Sequence, residues 1–171
     1  MGIEGYSYMA RHFFSGSSVA KLDEKNRFVL PQEMRFGLVE NGVLQFTIAL
    51  GLGGCLCIYK QSDMEKIVAK FMEKQHLAQF QKFFTLFFST LHKTECDRIG
   101  RVVLPEVLLK AGQIKKKIVL AGVIDRIEIW PEEKYMQDLE MLFSGKKEGR
   151  ESLGEMCEQA FALLHTKEEV L

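Results

Sequence analysis

No catalytic signature runs through this sequence. The four histidines (His12, His76, His92, His165) are scattered without metal-ligand spacing. There is no Gly-x-Ser-x-Gly elbow, no phosphate loop and no dinucleotide fingerprint. Gly51-Leu52-Gly53-Gly54 is glycine-rich, but it lies between two apolar runs and reads as a hairpin turn. Asp23 and Asp97 sit beside arginines in turns, which gives them structural partners rather than acid–base work. The chain is therefore read as no enzyme, with no small-molecule substrate. Long apolar runs are also missing. Phe83–Phe88 is broken by Thr85 and falls far short of the roughly 20 residues a membrane span needs. No secretory signal is read ahead of the fold, and the Met-Gly start has Tyr6 where myristoylation wants Ser or Thr. Net charge is zero, which weighs against a uniformly basic nucleic-acid binder. The four cysteines (Cys55, Cys57, Cys96, Cys157) lack zinc-site spacing. They are read as free thiols of a reducing, cytoplasmic protein, with no metal and no cofactor. Cys55-Leu56-Cys57 places both of its thiols on one face of a strand.

What remains is an ordinary soluble composition, 47% apolar and 27% charged over 171 residues. Charge is unevenly placed. Residues 93–117 carry seven basic and three acidic groups, whereas residues 131–171 carry five basic and ten acidic. A basic face on a neutral protein is thus available.

The main signal is internal repetition. Leu22–Pro31 reads LDEKNRFVLP and Cys96–Pro105 reads CDRIGRVVLP, 74 residues apart. Downstream, Gly51–Tyr59 matches Gly122–Trp130 at an offset of 71. The first repeat therefore holds three extra residues, expected around Val39–Val43, where Glu-Asn-Gly marks a loop.

Both repeats parse alike. A strand (Val19–Leu22, or a short run at Thr94–Cys96) leads to the Asp. A turn follows (Glu24–Asn26 or Arg98–Gly100), then a short β segment. Pro31 or Pro105 opens a brief helix, with Met34 and Leu108 facing inward and Gly37 or Gly112 ending it. Two strands close each unit: Leu44–Ala49 with Cys55–Tyr59, and Lys117–Leu120 with Arg126–Trp130. Ser62–Glu65 reads as a capping box for a following helix. Met64, Val68 and Phe71 fall at helical spacing, as do Tyr135, Leu139 and Leu142. Phe80, Phe83, Phe84, Phe87, Phe88 and Leu91 form a second stripe, expected as core between the repeats, with packing of part of it against another subunit as the alternative. Glu151–Leu164 reads as a final acidic helix. About 45 residues per unit bury too little alone, so the two repeats should interlock as a pseudo-twofold pair.

The phrase itself has two readable roles. Asp23 and Asp97 can accept backbone N–H groups just ahead, as in an Asx-turn. Asn26 and Gly100 share a tolerance for positive φ. Arg27 and Arg101, with Lys25 and Arg98, then place long cations at or beside the turn tips, suited to phosphate or guanine. Arg126, inside a closing strand, is read as structural.

These residues resemble the MraZ family of bacterial transcriptional regulators. The resemblance rests on the tandem Asp-x-x-x-Arg phrases, Phe14-Ser15-Gly16, Gly51–Tyr59 and Asp125–Trp130, and it covers residues 13–143. It implies an α+β fold. Two tandem SpoVT/AbrB-like units (13–61 and 93–136) would form a pseudo-twofold swapped-hairpin β-barrel, with amphipathic helices after each unit. A variable extension (1–12), connecting helices (62–92) and an acidic helical tail (137–171) complete the chain. It further implies a nucleoid-associated DNA-binding regulator acting as a ring-like homo-oligomer on repeated promoter boxes, repressing its own division and cell-wall operon. Arg27, Lys25, Arg101 and Arg98 would contact DNA, with Asp23, Asn26, Asp97 and Gly100 shaping the turns. Asn26 stands where the family's first phrase usually has glycine, and Phe83–Leu91 is more aromatic than the family's pattern. A protein-interaction module of the same fold, without DNA, is the competing expectation.

Overall fold

The two copies of the phrase fold onto each other. β2 (Arg27–Val29) and β8 (Arg101–Val103) pair antiparallel, with Arg27 opposite Val103, Phe28 opposite Val102 and Val29 opposite Arg101. The Leu30 amide donates to the Gly100 carbonyl at 2.8 Å, and the Leu104 amide donates to the Asn26 carbonyl at 2.9 Å. The ribbon is thus symmetric about the Phe28–Val102 pair. The computed structural model describes residues 12–143 and 152–165. The N-terminal extension therefore lies outside the described residues except for His12.

A six-stranded sheet carries most of the remaining β structure. Its strands are β1 (Ser17–Lys21), β5 (Phe46–Leu50), β6 (Leu56–Lys60), β7 (His92–Thr94), β9 (Lys117–Val123) and β10 (Arg126–Pro131). They are ordered β1-β9-β10-β6-β5-β7. The order interleaves the repeats: β1 of the first pairs with β9 of the second, and β7 of the second pairs with β5 of the first. β10 and β6 meet at the centre. The interlocking expected from the small size of each unit is present. The expected closed barrel is not seen, since β1 and β7 remain edges of an open sheet and the β2–β8 ribbon is a separate ladder.

The three-residue insertion of the first repeat falls at a hairpin of β3 (Val39–Glu40) and β4 (Val43–Leu44), turned at Asn41 and Gly42 with φ of 52° and 76°. Two consecutive positive φ values match the right-handed twist of a tight hairpin. The hairpin has a second use. The Glu40 carboxylate accepts the Ser62 amide at 3.0 Å, at the start of the helix α2 (Gln61–Lys74). This remote acceptor satisfies one orphan N–H of that helix. The capping box expected at Ser62 is not formed, because the helix begins one residue earlier and Ser62 lies inside it.

The short helices α1 (Gln32–Leu38) and α4 (Glu106–Ala111) follow the two ribbon strands. Pro31 and Pro105 have ψ of 146° and 148°, so they sit just before the first helical residue rather than in it. Met34 and Leu108 are buried as expected. Gly112 caps α4, but Gly37 does not end α1. It lies within that helix, where the His12 and Phe14 rings approach so closely that a Cβ would meet them at about 2.4–2.5 Å.

The main core lies between the sheet and the ribbon. Phe28, Leu30, Val102 and Leu104 from the ribbon pack with Phe46, Ile48, Leu56, Ile58, Ile118, Leu120, Ile127 and Ile129. A smaller cluster covers the other face, where Ala49, Met64 and Phe87 are buried and Phe71 packs against them. The phenylalanine stripe belongs to this second face. On α3 (Gln81–Ser89), Phe83, Phe84 and Phe87 surround Phe71 of α2, with ring centroids 5.5–5.7 Å away. Phe80, Phe83 and Phe88 stay 43%, 41% and 38% exposed, so the stripe is not the core between the repeats. The repeats were already joined through the ribbon, and no aromatic wedge was needed.

Residues from 133 onward form a second unit. It holds all but the first residue of α5 (Glu132–Phe143), with Tyr135, Leu139 and Leu142 half-buried, and α6 (Leu153–Leu163), whose start carries a capping box between Ser152 and Glu155.

The ribbon is the joint of the first unit, and Phe28 is its fully buried centre. Phe28→Ala should lower unfolding free energy in urea by about 3–5 kcal/mol, as for other buried aromatic truncations. Val29→Ala, on the exposed face of the same strand, should cost about 1 kcal/mol or less.

Candidate nucleic-acid interface

Each phrase folds into the same hydrogen-bonded loop. Asp23 Oδ1 accepts the amides of Lys25 and Arg27, both at 2.9 Å, and Oδ2 accepts Arg27 Nε at 2.7 Å. Asp97 repeats the pattern with Ile99 (3.0 Å), Arg101 (2.9 Å) and Arg101 Nε (2.6 Å). Main-chain bonds close the loops: Asn26 N–H to the Asp23 carbonyl and Gly100 N–H to the Asp97 carbonyl, both at 3.0 Å. Asn26 and Gly100 take φ of 57° and 91°, as the sequence predicted. The Asp23 carboxyl is held below its ordinary range, chiefly by the Arg27 amide. Asp97 is lowered to about 2, chiefly by the Arg101 amide. Both carboxylates are ionised at neutral pH.

The register puts the arginines somewhere the phrase alone did not. Lys25 and Arg98 occupy exposed turns at opposite ends of the ribbon. Arg27 and Arg101 lie on the ribbon itself. Phe28 and Val102 face the core, so Arg27, Val29, Arg101 and Val103 share the outer face. Arg27 and Arg101 are diagonal neighbours, about 7–8 Å apart at Cα. Their side chains are 25% and 35% exposed. Each aspartate holds only Nε, and no hydrogen-bond partner for the Nη groups is found among the described residues. A guanidinium fixed along one edge offers the other, already oriented, to a phosphate or a base.

Two further cationic features surround the ribbon. The β1–β9 register sets Lys21 opposite Lys117, and the Leu22 amide donates to the Lys116 carbonyl at 2.7 Å. An open cleft beside the first turn is lined by Lys21, Asp23, Glu24, Asn26, Lys115 and Lys116. The Lys115–Lys117 run was visible as charge in the sequence, but only long-range pairing carries it to the other repeat's turn. The second feature is Arg35, which sequence reasoning missed. Its guanidinium packs on Gly100, where a Cβ would lie 2.7 Å from Cζ and 2.8 Å from Nη1. Its Nε is buried and has no hydrogen-bond partner among the described residues. The offset of 74 aligns Arg35 with Leu109, a buried apolar residue, so only one turn carries this cation. Arg126 is held by Glu128 (2.9 Å) and Asp125 (3.3 Å) in the closing strand, away from the ribbon's outer face.

Comparison with known proteins adds the family. The model for the MraZ protein family, antitoxin-like, matches residues 13–86 and again 87–149. Curated relatives carry the name transcriptional regulator MraZ. The protein from Clostridium acetobutylicum is 34% identical over 126 residues, 72% of this chain and 85% of that one. The protein from Clostridium tetani is 35% identical over 124 residues, 71% and 84% of the two chains. The protein from Natranaerobius thermophilus is 33% identical over 137 residues, 76% and 91% of the two chains.

Two outcomes follow from the loop geometry. Because the folded Asp97 carboxyl titrates near 2, below its unfolded value, the loop's contribution to stability is present above pH 4 and lost as pH falls toward 2. The Ile99 and Arg101 amide resonances should hold their positions down to about pH 4 and move together below it. Gly100→Ala forces a side chain into positive φ and into Arg35, and should cost about 1–3 kcal/mol in chemical denaturation. Asn26→Gly, at the open counterpart, should be close to neutral.

Proposed function

The chain belongs to the MraZ family, and we propose that it is a transcriptional regulator that binds double-stranded DNA through the outer face of the β2–β8 ribbon. The observation that carries this reading is the diagonal pair Arg27 and Arg101, each fixed through Nε with its outer edge open. The names of the relatives support the regulatory role. The reading extends to a cytoplasmic, nucleoid-associated protein that represses its own division and cell-wall operon. It would act as a ring-like homo-oligomer on repeated promoter boxes.

The chemistry divides among the named groups. Lys25 and Arg98 at the turns, with Lys21, Lys115 and Lys116 beside the first, meet phosphates and set register. Arg27 and Arg101 supply the oriented forks that contact a base edge or clamp a phosphate. Asp23 and Asp97 cancel part of that charge, so one ribbon binds weakly and a neutral chain needs several. An oligomer presenting ribbons to repeated boxes raises the effective concentration of each later contact. Among the described residues, no helix is long and apolar enough to cross a membrane.

The exposed Phe80, Phe83, Leu86 and Phe88 favour a second reading, a protein-interaction module without DNA. Salt separates the two. Binding that releases counterions from DNA weakens steeply with salt, whereas an apolar contact barely responds.

Arg27→Ala should leave the melting temperature nearly unchanged, since Asp23 keeps its backbone bonds, and should abolish specific binding to DNA from upstream of the gene. The Arg27→Ala/Arg101→Ala pair should also flatten the salt dependence by about two phosphate equivalents. Titration of labelled promoter DNA at several salt concentrations checks both. Wild-type affinity in the double variant would remove the ribbon as the interface.

A further inference from the structure

The sheet face turned away from the main core brings two thiols and a carboxylate together at the centre of the six-stranded sheet. Cys57 on β6 stands directly opposite Glu128 on β10. Cys55 lies two residues before Cys57, on the same side of the strand. The two sulfurs are 3.8 Å apart. Donor atoms of Cys55, Cys57 and Glu128 all fall within 4.8 Å of one another. Both cysteines are free and almost wholly buried.

We propose that Cys55, Cys57 and Glu128 form a binding site for a thiophilic divalent cation of the zinc class. Four features support it independently of the DNA reading. First, two thiolates about 2.3 Å from a tetrahedral zinc lie about 3.8 Å apart, the separation already present here. A disulfide needs a sulfur–sulfur distance of about 2.05 Å. Second, Gly51 is backed against both sulfurs. A Cβ there would lie 2.6 Å from Cys57 Sγ and 2.7 Å from Cys55 Sγ, so glycine is what lets the pair converge.

Third, the carboxylate is aimed from outside. Glu128 Oε1 accepts Trp130 Nε1 at 3.0 Å, and Oε2 accepts Arg126 Nε at 3.0 Å. Outer contacts of this kind orient a ligating group and leave lone pairs for the ion. Fourth, charge balances. Two thiolates and one carboxylate against a divalent cation leave one negative charge, and Arg126 at 2.9 Å from Glu128 offsets it. Binding releases the two thiol protons to solvent and changes no oxidation state. The Glu128 side chain is 16% exposed, which gives the ion access, and solvent or the Leu52 carbonyl beside Cys55 can complete the coordination.

The site has a structural consequence. At the offset of 71, Cys57 and Glu128 are the same position of the two repeats, so a bound ion would staple one repeat to the other.

The test uses the full chain with Cys96→Ser and Cys157→Ser, reduced with a phosphine and freed of metal by chelator. Zinc chloride is titrated against a chromophoric chelator, and cadmium chloride is followed by its thiolate charge-transfer absorption. The expected result is one equivalent per chain, the cadmium–thiolate band, and a melting temperature that rises with zinc concentration. Cys57→Ala should abolish the band and the shift. Glu128→Gln, which keeps both thiols and the Trp130 partner, should weaken zinc at least tenfold. Absence of stoichiometric uptake in the parent would overturn the proposal, as would unchanged uptake in Glu128→Gln or in folded Cys57→Ala. None of these results depends on whether the ribbon binds DNA.

Discussion

Two backbone hydrogen bonds, Leu30 to Gly100 and Leu104 to Asn26, tie each phrase to the turn of the other. The rest of the first unit depends on this exchange. Each repeat alone has strands with one apolar face and nothing to cover them. Once the ribbon forms, Phe28, Leu30, Val102 and Leu104 are delivered as one plate onto the sheet. The same pairing turns Arg27 and Arg101 outward, because successive side chains of a strand alternate between faces. Burial of phenylalanine and presentation of arginine are therefore one event. A substitution that loosens the ribbon should therefore disturb the outward arginines as well as the core.

Local features were legible in the sequence because they depend on a few adjacent residues. The Asp that accepts its own loop's amides, the positive φ at Asn26 and Gly100, the inward Met34 and Leu108, and the place of the insertion at Glu-Asn-Gly are all of this kind. Register between distant strands was not legible. It alone decides that the two arginines share a face instead of crowning two separate tips. It also decides that Lys115 and Lys116 line the first repeat's turn. Helix punctuation failed where tertiary contacts outvoted it. Gly37 is used for close packing of His12 and Phe14, and Glu40 from the inserted hairpin does the capping expected of Ser62. The phenylalanine stripe had the right period, and its partner was the helix before it rather than the other repeat.

Pseudo-symmetry explains much of the fold, and its breaking explains the chemistry. Two separate identical chains would place every axial position opposite itself. Position 57 would then face a second cysteine, or position 128 a second glutamate, and two buried carboxylates in contact repel. A tandem repeat within one chain removes that restriction. Cys57 can face Glu128, and Cys55 can coexist with Arg126 at the equivalent place, giving opposite charges and soft ligands at one point of the axis. The ribbon shows the same freedom. Gly100 leaves room that Arg35 fills, while Asn26 stays open beside lysines, so the two turns differ in their cationic neighbours. A DNA segment lying across this ribbon would meet two unlike ends. The fused repeat therefore gives the proposed contact face a polarity that a symmetric dimer would lack.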